Sequence, residues 1–212
     1  MTRIIPTIFA KKQQEFQERF EKLMPIANEF QIDFMDGKFH GVKGMMPSQL
    51  KTLPQKSFEA HMMVKEPHRY VDQAKKLGFE RFLFHIESQD SEAQTKLLID
   101  KIHKSGMKAG VVLNPKTSVN AIKPFLKDAD LVMFMGHEPG YENVAVDSQV
   151  YKKIRNLREQ FPRLPIEVDG GVDEKTAARF AKAGATRLSV GSAISSSQDP
   201  RDTLRKLRGL TR

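Results

Sequence analysis

The chain has 212 residues, 39% of them hydrophobic, enough apolar material to bury the core of one domain spanning residues 1–212. It contains no cysteine, which excludes a disulfide frame, a thiolate metal centre and a cysteine nucleophile. The net charge of +9 invites a nucleic-acid partner, but the paired lysines at 11–12, 75–76 and 152–153 and the run Arg205–Arg208 lie on segments of helical period, and tryptophan is absent. Solvated helix faces account for that charge, so no nucleic-acid partner is expected. No run approaches the roughly 18 apolar residues of a membrane span, and the N-terminus lacks the apolar core of a signal peptide. A soluble, cytoplasmic protein with no membrane partner is the expectation.

In chain order, short β-branched or aromatic runs alternate with longer stretches whose apolar residues recur every three or four positions. The runs predict strands over 3–9, 31–35, 57–64, 81–86, 108–114, 131–135, 165–169 and 187–191. The intervening stretches predict helices over 11–24, 67–78, 92–106, 118–128, 148–161 and 174–184. Gly78 and Gly184 stand just past two of these helices, and Pro67 sits at a tolerated first-turn position. Eight strands alternating with helices predict an α/β fold, a parallel eight-stranded sheet closed into a (β/α)8 TIM barrel. An open doubly wound sheet normally carries a glycine fingerprint after its first strand, and IIPTIFAKK has no glycine.

In such a barrel the chemistry lies at the C-terminal ends of the strands. The residues there are Thr7, Asp33, His61, His85, Asn114, Met135, Asp169 and the pair Gly191 and Ser192. A single strand-end aspartate reads most plainly as a helix cap or a loop hydrogen bond. Asp33 and Asp169 face each other from strands 2 and 7, however, and two carboxylates across one cavity can act as a paired base and acid. After strands 7 and 8 come DGGV (with Gly170 and Gly171) and GSAI (with Gly191 and Ser192), small residues at the usual phosphate site of this fold.

IIPTIF, DFMDGKF, AHMMV, FHIES, LNPKT, EPGY, IEVDGGV and GSAI follow one another along nearly the whole chain, and in that order they resemble the ribulose-phosphate 3-epimerase family. The resemblance implies a barrel that interconverts D-ribulose 5-phosphate and D-xylulose 5-phosphate by inverting carbon 3. Asp33 and Asp169 would move the protons through an enediolate. It implies a divalent metal (zinc, iron or manganese) held by His61, Asp33, Asp169 and the residue at position 31. The family has histidine at that last position, whereas this chain has Gln31, a neutral amide donor poorer than imidazole for such ions, so a weakened or absent metal is expected. By the same match Thr7, Met35, Met63, Met135 and Gly140 bind substrate, while Gly170, Gly171, Gly191 and Ser192 grip its phosphate. A sugar-phosphate partner and a homo-oligomer are also implied.

The departures cluster at the site. The family's Pro-Gly-Phe-Gly-Gly-Gln loop reads PGYENV here, with Glu142 and Asn143 in place of two glycines; FHGV replaces Phe-Val-Pro-Asn, and Thr7 replaces a serine. Two alternatives therefore stay open: an epimerase for a hexulose phosphate, and a non-catalytic phosphate-binding or structural relic. The decarboxylase and aldolase relatives use Asp-x-Lys-x-x-Asp, which DFMDGK does not reproduce. Of the other histidines, His137 is placed to face a ligand, His68 to lie on the surface, and His40 and His85 have no assigned role.

Overall fold

Along each strand the side chains alternate between two environments, as the pleat requires. In the computed structural model, which describes residues 1–141 and 144–212, the strands are β1 (Arg3–Ile8), β2 (Glu29–Met35), β3 (Ser57–Met63), β4 (Arg81–His85), β5 (Lys108–Leu113), β6 (Leu131–Met135), β7 (Ile166–Asp169) and β8 (Arg187–Val190). Each pairs in parallel with the next and β8 closes on β1, giving the expected (β/α)8 barrel. Glu142 and Asn143, the loop departures noted above, lie outside the described residues.

One set of alternate positions forms the layer between strands and helices. Phe30, Ile32 and Phe34 of β2, Phe58, Ala60 and Met62 of β3, and Ile166 and Val168 of β7 belong to the main apolar core there. The other set fills the lumen. On the β4–β6 side it is mostly apolar, a separate cluster of Leu83, Val112, Leu131, Met133 and Met135, with Arg81 and His85 at the two ends of β4. On the β7–β8–β1–β2–β3 side the same positions carry Glu167, Asp169, Arg187, Ser189, Thr7, Glu29, Gln31, Asp33, Glu59 and His61. Only a polar half-lumen can present several ionisable groups to one cavity, and this asymmetry positions the site.

The helices are α1 (Gln13–Leu23), α2 (Val71–Leu77), α3 (Glu92–Lys104), α4 (Gln149–Gln160), α5 (Ala177–Ala183), the short α6 (Ser192–Ser195) and α7 (Pro200–Leu210). Each longer one buries an apolar stripe, such as Phe16 and Leu23 of α1 or Val150, Ile154 and Leu157 of α4. Gly78 and Gly184 end α2 and α5 as expected. The predicted helix over 118–128 is instead a 3-10 segment, Val119–Phe125. Pro124 is the reason: it lacks the N–H that an α-turn needs and its ring crowds the preceding carbonyl. The start of the predicted helix over 67–78 is likewise a 3-10 turn, Pro67–Arg69, with α2 beginning only at Val71. No helix among the described residues is long and apolar enough to cross a membrane.

At the N-terminal end of the lumen one guanidinium holds three carboxylates. Arg187 donates from Nε to Glu167 (2.7 Å), from Nη1 to Glu29 (2.7 Å) and from Nη2 to Glu59 (2.6 Å). Burial, and then the neighbouring charge of Glu167, push the Glu59 carboxyl well above its ordinary range. Glu167, buried to the same degree but held by Arg187, is drawn below it.

Candidate active site

Parallel register sets which polar residues meet. β2 and β3 align Asp33 with His61, β1 and β2 align Thr7 with Gln31, and β7 and β8 align Asp169 with Ser189. Four side chains from three strands then converge. The Gln31 amide nitrogen donates to Asp33 Oδ1 at 2.8 Å and to Asp169 Oδ2 at 2.7 Å. His61 Nδ1 lies 3.1 Å from each of the same two oxygens. The Gln31 oxygen accepts from the Ser189 hydroxyl at 2.8 Å.

The two aspartates are pushed apart in acidity. Burial and the adjacent charge of Asp169 raise Asp33. Asp169 meets the same burial, but its bond to and the charge of His61, with the Gln31 bond, outweigh it and leave its carboxyl below the usual range. Two carboxylates this close share one negative charge more readily than two, and the opposite shifts favour the ionised form at Asp169. His61 is fully buried, which alone lowers its pKa; the bonds to Asp169 and Asp33 overcome that and raise it to about 9. On its other side His61 Nε2 is 3.0 Å from His85 Nε2, and the rings stack at 5.1 Å. Burial depresses His85 to about 4, while Nδ1 faces the Glu87 carboxylate at 3.5 Å.

These two histidines contribute to stability in opposite directions on either side of pH 6.5. His85 is depressed below its unfolded value near 6.5, so its contribution is complete above that pH and is lost as pH falls from 6.5 to 4. His61 is raised, so its contribution is complete below about 6.5 and is lost as pH rises towards 9. Each limb amounts to on the order of 3 kcal/mol. The melting temperature of the metal-free wild type, taken relative to that of His85→Gln, should therefore fall as pH drops from 6.5 to 4.5, a comparison that cancels the raised Glu59 and Asp33, whose contributions run the other way. A difference between the two proteins that stays constant over that range would refute the assignment.

Above the carboxylates opens a cavity of about 590 Å³, lined by Thr7, Asp33, Met63, Met135, Gly140, Asp169, Gly170, Gly171, Gly191 and Ser192. Ten of the sequence-predicted site residues therefore line one cavity. Gln31 and His61, both with no exposed surface, form the layer beneath it. Met35 is fully buried and does not line the cavity; a Cβ on Gly140 would come within 2.9 Å of its Cε. The Thr7 hydroxyl is buried and has no hydrogen-bond partner among the described residues, as a group kept for a ligand would be.

Gly170 and Gly171 have φ of +95° and +68°, backbone that side chains rarely adopt. Space is tight as well, since a Cβ on Gly171 would fall 2.4 Å from Val146 and one on Gly170 would fall 3.0 Å from the His137 ring. The double glycine thus lets the chain after β7 pass between the loop after β6 and the cavity. His137 lines that cavity, as its position predicted, and His68 is exposed.

The sequence did not single out Ser189, Glu167 or Arg187, and it left His85 without a role. Their signal was a polar residue at every second position of strands read as apolar, in Glu167–Val168–Asp169 and Arg187–Leu188–Ser189.

A donor set of two carboxylates and an imidazole, whose ligand atoms lie within 4.8 Å of one another, can hold a divalent cation. Gln31 as it stands is no fourth ligand. Its oxygen is engaged by Ser189, and its NH₂ occupies the position from which a cation would neutralise the carboxylates.

Comparisons with known proteins agree with the geometry. Residues 3–195 match the family described as the ribulose-phosphate 3 epimerase family. The chain is 31% identical over 213 residues to a ribulose-phosphate 3-epimerase of Schizosaccharomyces pombe, covering 97% of this chain and 92% of that protein. It is 33% identical over 186 residues to the ribulose-phosphate 3-epimerase of Bacillus subtilis, covering 84% of each. Among solved structures, a 3-hexulose-6-phosphate synthase from Salmonella typhimurium superposes with a TM-score of 0.72 at 16% identity over 99% of this chain and 98% of that one, a likeness of fold alone. With the barrel, the aspartate pair and the glycine-lined cavity in the positions that its motifs imply, the chain belongs to the ribulose-phosphate 3-epimerase family.

Proposed function

We propose that the protein is an epimerase of a ketose phosphate, with D-ribulose 5-phosphate and D-xylulose 5-phosphate as the substrate pair. The observation that carries this reading is the convergence of Asp33 and Asp169 on a single nitrogen at 2.8 and 2.7 Å, with their acidities driven in opposite directions. Relatives of similar sequence named as ribulose-phosphate 3-epimerases support the substrate.

The ionised Asp169 takes the proton from carbon 3 on one face, and the electron pair of the broken C–H bond enters the enediolate. The protonated Asp33 gives its proton to the opposite face of the same carbon. One inversion leaves Asp169 protonated and Asp33 ionised, which is the state required for the reverse direction, so no other reactant is consumed. His61, cationic below the pair, offsets the charge that moves between the carboxylates. The Thr7 hydroxyl is the donor placed for a substrate oxygen, and Gly170, Gly171, Gly191 and Ser192 form the end of the cavity that receives the phosphate. A divalent cation held by Asp33, His61 and Asp169 would supply Lewis-acid stabilisation of the enediolate oxygens.

The test is solvent exchange. Purified protein in deuterium oxide is expected to place deuterium at carbon 3 of both pentulose phosphates, read by NMR, with and without added zinc, iron(II) or manganese. Exchange restricted to hexulose phosphates would move the substrate assignment to those sugars. No exchange with either class would leave the phosphate-binding relic, the reading that Gln31 favours.

A further inference from the structure

We propose that Ser189 is a positioning residue that sets which end of the Gln31 amide faces the carboxylate pair, and that this pair of residues turns over when a divalent cation binds. The inference deepens the cation reading of the same site.

It begins with a proton count. The Ser189 oxygen lies 2.8 Å from the Gln31 oxygen and 2.6 Å from Glu167 Oε1. Both neighbours are acceptors, and a hydroxyl has one proton. One of the two contacts therefore lacks a hydrogen in the arrangement seen. Glu167 cannot relieve this by turning, because its other oxygen accepts from Arg187 at 2.7 Å, and Arg187 is itself tied to Glu29 and Glu59. The free variable is the Gln31 amide, which exchanges its oxygen and nitrogen by rotation within one shape.

The two settings suit different occupants. With NH₂ inward, Gln31 donates to Asp33 and Asp169 and so takes over part of the neutralisation that a cation gives. With oxygen inward, Ser189 sends its proton to Glu167, its oxygen accepts from the Gln31 NH₂, and both Ser189 contacts have one hydrogen. That setting puts a carbonyl oxygen against the ionised Asp169, beside Asp33, which is repulsive until a cation lies between them. Cation binding and amide rotation are therefore coupled, and Gln31 becomes an oxygen ligand only in the rotated state. Removing the Ser189 hydroxyl takes one hydrogen bond from the NH₂-inward setting but two from the oxygen-inward one. The difference weakens cation binding and leaves the cation-free site less affected.

Zinc, added to the metal-free full-length protein and competed against a chelator, is the probe. Ser189→Ala is expected to bind zinc about tenfold more weakly than wild type, one lost hydrogen bond at a charged site. Ser189→Thr, which keeps the hydroxyl, should restore binding. In wild-type protein labelled with nitrogen-15, the Gln31 side-chain NH₂ signals should move when zinc is added, because they exchange two carboxylate acceptors for one hydroxyl. Equal zinc affinity in wild type and Ser189→Ala, or Gln31 signals that stay in place at saturating zinc, would overturn the switch while leaving both the cation site and the epimerase reading intact. No zinc binding to wild type would overturn the cation site on which the switch depends, and carbon-3 exchange would still report on the epimerase.

Discussion

Asp33→Asn and Asp169→Asn are each expected to lower epimerisation by about 10²–10⁴-fold, the range removed with a general acid or base. The amide copies the shape of the carboxylate but neither takes nor gives the proton. The more telling result is in exchange without inversion. The two aspartates approach the substrate from β2 and β7, which are separated around the barrel by β8 and β1. Each therefore reaches the carbon-3 hydrogen of only one epimer. Asp33→Asn should still wash deuterium into the epimer whose hydrogen faces Asp169, with retention of configuration, and Asp169→Asn should do so for the other. NMR on each purified pentulose phosphate separates the cases. If both variants keep the same epimer, or either turns over like wild type, the two-aspartate scheme fails.

The second large effect lies far from the cavity mouth. Arg187→Met is expected to destabilise the protein by about 3–5 kcal/mol, a large share of the roughly 5–15 kcal/mol that holds a domain folded. Glu59 and Glu167 have no exposed surface, and Arg187 is bonded to both. Its loss leaves Glu167 ionised in the lumen with no cation bonded to it. The attraction of the quartet itself is offset by the desolvation of its members, so the destabilisation comes from breaking the set and not from the pair being strong. Changing all its buried members together to apolar residues of similar volume should recover much of the loss. Urea denaturation of Arg187→Met and of that combined variant gives both numbers. A midpoint for Arg187→Met within error of wild type would show that the lumen admits enough water to solvate the carboxylates.

Much of this was legible in one dimension. Strand runs near 31–35, 57–64 and 131–135 appear within a residue or two of where period and composition placed them, because a β-branched or aromatic run between turn residues has little alternative. The strand-end rule, with Met63 added by the family resemblance, then collected Thr7, Asp33, Met63, Met135, Asp169 and the four phosphate-side residues onto one cavity. The helix over 118–128 failed because Pro124 was read as part of an apolar period instead of as a missing donor. Met35, which the resemblance placed at the substrate, packs against Gly140 and does not reach the cavity.

The sequence by itself determined the barrel, the pair of strand-end aspartates and the glycines beyond β7 and β8, because those depend on local period, chain direction and backbone freedom. Only the tertiary structure decided what Gln31 does. A residue name tells that an amide is present, but not that its nitrogen is aimed at two carboxylates while a serine from β8, 158 positions further along the chain, holds its oxygen. Hydrogen-bond direction depends on which donors and acceptors meet in the closed lumen, and closure joins strands that lie at opposite ends of the chain.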